Sequence, residues 1–156
     1  MPSVEGIVAD GSEVGSPHEL NRFVEAQKGV CERALAEVRA GRKRSHWMWF
    51  IFPQIDGLGS SPMAKKYAIG SRAEAEAYLA HPFLGPRLVA CAEAAAAVPG
   101  PASALDVFGS PDDRKLWSSA TLFACVSPEG SVFDRVLERY FRGERDPATI
   151  RLLDAT

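Results

Sequence analysis

The sequence predicts an all-α fold, a single compact domain of about seven helices behind a short N-terminal tail. Three observations carry this. Ser or Asp stands directly before proline at Ser16-Pro17, Ser61-Pro62, Ser110-Pro111, Ser127-Pro128 and Asp146-Pro147. Each pair sets an N-cap side chain ahead of a residue whose missing N–H has no intrahelical partner at the first helical position anyway. Apolar residues recur at helical spacing between these marks, and strand-like alternation is almost absent.

The elements follow in order. Ser16 and Glu19 form a capping box opening a helix whose apolar stripe is Leu20, Phe23, Val24, Gln27, Val30, Cys31, Ala34, Leu35 and Val38, with Gly41 as its stop. Gln27 is the one polar member of that stripe. Trp47–Phe52 is the only strand candidate and too short for periodicity to decide; Ser45 is read as the cap of a short helix there, ended by Pro53. Ser61 opens 62–69, closed by Gly70. Ser71, with Glu74 at the capping-box offset, opens 72–80, closed by His81-Pro82. A helix over 86–98 follows, nearly all alanine from 91 to 97, then a short turn near 102–108. Ser110, with Asp113 three residues on, opens 112–126. Val132, Phe133, Val136, Leu137, Tyr140 and Phe141 form the next stripe, stopped by Gly143, and Asp146-Pro147 opens the last helix. No repeat or long linker divides the chain, so residues 1–15 are read as a flexible tail and 16–156 as one helical domain.

A chain of 156 residues can bury a core without metal or disulfide staples. Its net charge of −2 argues against a protein that wraps nucleic acid over a whole face. Cys31, Cys91 and Cys125 are odd in number and widely spaced, which suits reduced, buried thiols in the cytoplasm rather than a disulfide frame. No apolar run approaches the roughly 18 residues that span a bilayer. The first fifteen residues carry acidic but no basic side chains, unlike a secretory signal. A soluble, cytoplasmic protein is expected.

Chemistry concentrates in residues 42–67. Arg42, Lys43, Arg44, Ser45 and His46 run into Trp47, Met48, Trp49, Phe50, Ile51 and Phe52, followed by Pro53, Gln54 and the turn from Asp56 to Pro62. Aromatic faces beside fixed cations suit a small anionic ligand of nucleotide or phosphate type. In that reading Arg42, Lys43, Arg44, Lys65 and Lys66 supply charge, Trp47 or Trp49 a stacking face, and Gln27 and Gln54 amide contacts. The N–H groups after Ser61 would hold phosphate, and His46 or Asp56 would activate water if the ligand is hydrolysed. The same residue types also suit a plainer account, in which the aromatics are core and Arg42–Arg44 a solvated loop. Asp112, Asp113, Arg114 and Lys115 at a helix start are a secondary feature that could complete the site or simply cap the helix. His18, His46 and His81 lack ligand spacing, so no metal is expected. Gly57-Leu58-Gly59 lacks the third glycine and preceding strand of a dinucleotide loop, and no cofactor is expected.

The run from Ser45 to Gln54, with Gly57-Leu58-Gly59, Ala64 and Tyr67-Ala68-Ile69, resembles the bacterial domain-of-unknown-function family 1810. The likeness extends through Arg22-Phe23-Val24, Ala26-Gln27, Tyr78-Leu79, His81-Pro82, Leu84-Gly85, Lys115-Leu116, Ser118-Ser119 and Thr121-Leu122-Phe123, and so covers the chain from residue 17 onward. The resemblance implies an all-helical domain and carries no activity. Some members bear a calpastatin-like label, which fits badly, because calpastatin is a long disordered inhibitor and this chain is compact and aromatic. Phe23-x-x-Ala26-Gln27 and Asp113-x-Lys115-Leu116 are also similar to the glycosidase group acting on ADP-ribose-type compounds, which would make the chain a hydrolase. It departs from that group in having no glutamate just ahead of Phe23. The alternative is an adaptor that holds a protein partner in an aromatic groove; a nucleic-acid binder using Arg42–Arg44, Lys65 and Lys66 comes last.

Overall fold

The computed structural model describes residues 18–156; the tail over 1–15 and the Ser16-Pro17 helix start lie outside the described residues. Ten α-helices follow: α1 Asn21–Gln27, α2 Cys31–Arg39, α3 Met48–Ile51, α4 Pro62–Lys66, α5 Arg72–Ala80, α6 Leu84–Ala96, α7 Ala104–Phe108, α8 Asp112–Cys125, α9 Val132–Phe141 and α10 Pro147–Asp154. There is no strand among the described residues, only an isolated parallel bridge between Ile55 and Ile69. None of these helices is long and apolar enough to cross a membrane.

The core forms around α6, α8 and α9. Helix α8 packs on α9, α7, α10 and α5, while α6 packs on α9, α2 and α5. From Ser118 to Ala124 every residue of α8 is buried, as expected of a helix enclosed on all sides rather than laid on a surface. The two serines and the threonine in that run are small enough for close packing. Ser118 Oγ donates to Asp146 Oδ2 at 2.9 Å and Thr121 Oγ1 to the Trp117 carbonyl at 2.8 Å. Asp146 also receives Thr149 Oγ1 at 2.7 Å and the Ala148 N–H at 3.2 Å, so this buried carboxylate both caps α10 and ties it to α8.

Several punctuation marks sit where the sequence puts them. Ser61, Ser71 and Asp146 each accept an N–H from the first turn of their helix. Others do not. The single helix expected across residues 20–38 is two, because Gly29 takes φ +69° and turns the chain between α1 and α2; only a residue without Cβ enters that region freely. The apolar stripe continues across the break, which is why spacing alone merges the pieces. Ser110 does not cap α8, whose N-cap is Pro111 with no side-chain bond. Ser127-Pro128 starts no helix, and α9 is capped instead by Ser131. The helix expected over 62–69 stops at Lys66, because Ile69 N–H donates to the Gln54 carbonyl and its own carbonyl accepts from Asp56 N–H, both at 2.8 Å.

Candidate functional site

The segment that leads into the site is shaped by one carboxylate. Glu37, in the last turns of α2, accepts from the Arg44 N–H (2.9 Å), the Ser45 N–H (3.0 Å), the Ser45 hydroxyl (2.6 Å) and Trp47 Nε1–H (2.8 Å). Lys43 N–H donates to the Val107 carbonyl of α7 at 2.7 Å, so residues 42–47 are pinned from two sides. Ser45 is therefore spent on Glu37 and does not cap α3. Burial of Glu37 opposes ionisation, but the hydrogen bonds from Ser45, Arg44 and Trp47 outweigh it and hold the carboxyl at about 2. A carboxyl depressed in the folded state contributes stability that is fully present above the ordinary carboxylate range and is lost as pH falls from there toward about 2. Glu37→Gln should accordingly cost about 1–3 kcal/mol at neutral pH, with the gap to wild type closing as the pH approaches 2 to 3. Urea titrations of both proteins across that range check this; a gap that stays constant would mean the ionised carboxylate is not its source.

Beyond this loop, Trp49 stands half-buried where two clefts meet. One, of about 480 Å³, is lined by Lys43, Arg44, His46, Met48, Ser110 and Asp112; the other, of about 330 Å³, by Gln54, Leu58, Gly59, Ser60, Ser61, Ala64 and Arg114. Trp49, Pro111 and Lys115 line both. Lys115 Nζ sits 4.7 Å from the centre of the Trp49 ring. Asp112 lies between two ammonium groups, 2.9 Å from Lys43 and 3.4 Å from Lys115. Lys43 also donates to the Ser45 carbonyl and lies 5.0 Å from the Trp47 ring. Its side chain is only 7% exposed, so of the expected solvated loop only Arg42 and Arg44 are open to solvent.

The candidate residues divide. Lys43, His46, Trp49 and Gln54 come together along this groove, with His46 exposed at its rim. Trp47 does not join them; it is fully buried and contributes to the core. Gln27 lies on the other side of α3. Its Nε2 donates to the Phe50 carbonyl at 2.8 Å and the Tyr78 hydroxyl at 3.1 Å, while Oε1 accepts from Arg87 at 3.2 Å. It is a satisfied buried amide holding the end of α3, and burial pushes the Tyr78 phenol up. Arg42, Asp56 and Lys65 are exposed and line neither cleft. Of the N–H groups after Ser61, that of Ala64 is taken by Ser61 Oγ at 3.1 Å, and Pro62 has none. Asp112, Arg114 and Lys115 complete the groove, from the helix start that the sequence marks only as secondary. Among the described residues, no three His, Cys, Asp or Glu side chains gather as a metal site would require.

A family described as "Protein of unknown function (DUF1810)" matches residues 17–153. The crystal structure of the conserved hypothetical protein Rv1873 from Mycobacterium tuberculosis is 50% identical, covers 90% of this chain and 100% of its own, and superposes with a TM-score of 0.87. No curated protein matches the chain.

Proposed function

We propose, for a chain that belongs to this DUF1810 family of unknown function, that the groove across Trp49 binds a small nucleotide-type anion. The observation that supports this is the sharing of Trp49, Pro111 and Lys115 by both clefts, which makes one continuous groove with an aromatic face at its middle. Its lining sets Lys43, Arg44, Arg114 and Lys115 against the single carboxylate of Asp112, a balance that favours an anion. A flat ring would lie by Trp49, Leu58 and Gln54. Phosphate oxygens would meet Arg44, Lys115 and Lys43, the two lysine ammonium groups exchanging Asp112 for the ligand. Each cleft is at the small end of the range for ligand sites, and together they suit a nucleotide rather than an inorganic ion.

If the bound compound is hydrolysed, His46 is the group placed to move a proton, since Asp56 stands outside the groove. The adaptor reading has less support. Among the described residues the exposed large apolar side chains are Met63, Phe83 and Leu105, and none of them lines the groove.

Thermal shift against nucleotides, ADP-ribose compounds and phosphosugars tests the proposal. A ligand at about a hundred times its Kd should add roughly 2.7 kcal/mol of stability, and Lys115→Ala or Trp49→Ala should remove most of that gain. His46→Ala should leave binding largely in place and abolish any turnover. No stabilisation by any of these anions would sink the reading, as would a gain that survives both groove variants.

A further inference from the structure

A second cleft lies where the end of α1, the start of α2 and the first turns of α6 meet. It holds about 550 Å³, is lined by Gln27, Lys28, Gly29, Cys31, Glu32 and Arg87, and shares no lining residue with the Trp49 groove. Arg87 is half-buried there. Its guanidinium donates to Gln27 Oε1 at 3.2 Å and lies 5.5 Å from the centre of the exposed Phe83 ring. Both partners are neutral, and among the described residues no carboxylate pairs with this arginine. A cation drawn partly out of water is usually met by an acid. Gln27 cannot turn away from it, because the amide is 2% exposed and its Nε2 is already bound to the Phe50 carbonyl and the Tyr78 hydroxyl. The core therefore holds an uncompensated guanidinium in the wall of a cleft. We propose that this cleft binds a small carboxylic acid, with Arg87 taking its carboxylate.

The chemistry of the lining selects the ligand class. Gln27 occupies one terminal nitrogen of the guanidinium. Nε and the other terminal nitrogen remain as a planar pair, spaced to hold both oxygens of a carboxylate. The lining sets Lys28 and Arg87 against the carboxylate of Glu32. Lys28 is exposed and already stands 3.1 Å from Glu25, so the surplus is that of a single cation, which suits a monoanion. A phosphate dianion would meet Glu32 as well. The first turn of α2, whose N-cap Val30 supplies no side-chain acceptor, adds a weaker field of the same sign. The cleft is larger than a carboxylate alone fills and falls in the range for small organic ligands, so the rest of the acid lies along Gly29 and Cys31.

Cys31 is half-buried in this lining and reports on it. The whole chain is alkylated with iodoacetate and, in parallel, with iodoacetamide, which lacks the carboxylate, and modification of Cys31 is followed by peptide mass. The ratio of the two rates cancels any change in the reactivity of the thiol itself. In the native protein this ratio should exceed its value in urea by about tenfold, the effect of one charge-assisted hydrogen bond. The iodoacetate rate should saturate with concentration, and butyrate should protect Cys31 from it. Arg87→Ala should return the ratio to its urea value. Glu32→Gln, at an exposed position, should raise the ratio and keeps the test open if the arginine variant does not fold. An equal ratio in native and unfolded protein would overturn the proposal, as would a preference for iodoacetate that survives in folded Arg87→Ala. Stronger protection by inorganic phosphate than by butyrate would overturn the assignment to a carboxylic acid.

Discussion

Replacing Trp47 by alanine should cost about 3–5 kcal/mol of folding stability, the range for a large aromatic lost from a closed core. For a chain of this length that lowers Tm by on the order of 10 °C. The side chain has no exposed surface. Its ring packs 6.3 Å from Phe52 and 6.5 Å from Phe108, the latter edge to face, and its Nε1–H is one of four donors on Glu37. Alanine empties the space and removes a partner from a carboxylate that needs it. Phenylalanine refills most of the space but not the donor, and should cost about 1–3 kcal/mol. Trp49, two residues on, lies half-buried under Lys115, and Trp49→Ala should cost on the order of 1 kcal/mol while removing the groove's aromatic face. Chemical denaturation of the three variants, followed by circular dichroism, separates the cases. A Trp47→Ala protein within about 1 kcal/mol of wild type would mean that this ring is not core.

That contrast marks where the sequence was legible and where it was not. The all-α class and most helix positions could be read, because Ser61, Ser71 and Asp146 act through bonds to N–H groups two or three residues away. Helices α5 and α9 lie where their stripes and stops predict. The split between α1 and α2 was hidden because Gly29 interrupts the backbone without interrupting the apolar stripe. The 42–54 segment was recognisable as unusual, yet its two tryptophans are alike in sequence. Their fates diverge through Glu37, which reaches Trp47 from ten residues upstream, and through Lys115, which covers Trp49 from 66 residues downstream. Gln27 shows the same limit. A polar residue on an apolar stripe signals a buried amide that needs partners, but only the fold reveals Phe50, Tyr78 and Arg87 among them. Lys65 was attractive for its charge, and a five-residue helix leaves it facing solvent outside either cleft.

Alanine at Gly85 should destabilise the protein by about 1–3 kcal/mol or more, against the usual expectation for a helix interior, where glycine to alanine gains up to about 1 kcal/mol. Gly85 is the second residue of α6, where the chain reverses from α5 through His81, Pro82 and Phe83. An added Cβ would lie 2.1 Å from the Leu79 carbonyl oxygen and 2.9 Å from its carbon. Those atoms are backbone at the end of α5 and cannot rotate aside, so one helix must move relative to the other. Gly29→Ala is the useful comparison. There a Cβ meets nothing within 4 Å but the residue sits at φ +69°, so only the left-handed conformation is penalised, by about 1–2 kcal/mol. Gly85→Ala should therefore be the more damaging of the two although its backbone is ordinary. It should also be felt inside the fold, because α6 carries Arg87 to Gln27 and holds Cys91 in the core. A shift of this hairpin should expose Cys91, read as a rise in its alkylation rate in the native protein, while Gly29→Ala leaves that rate much less changed. If Gly85→Ala instead raised Tm, the approach of α6 to α5 would have to be looser than the added Cβ requires, and the burial of Cys91 would no longer depend on it.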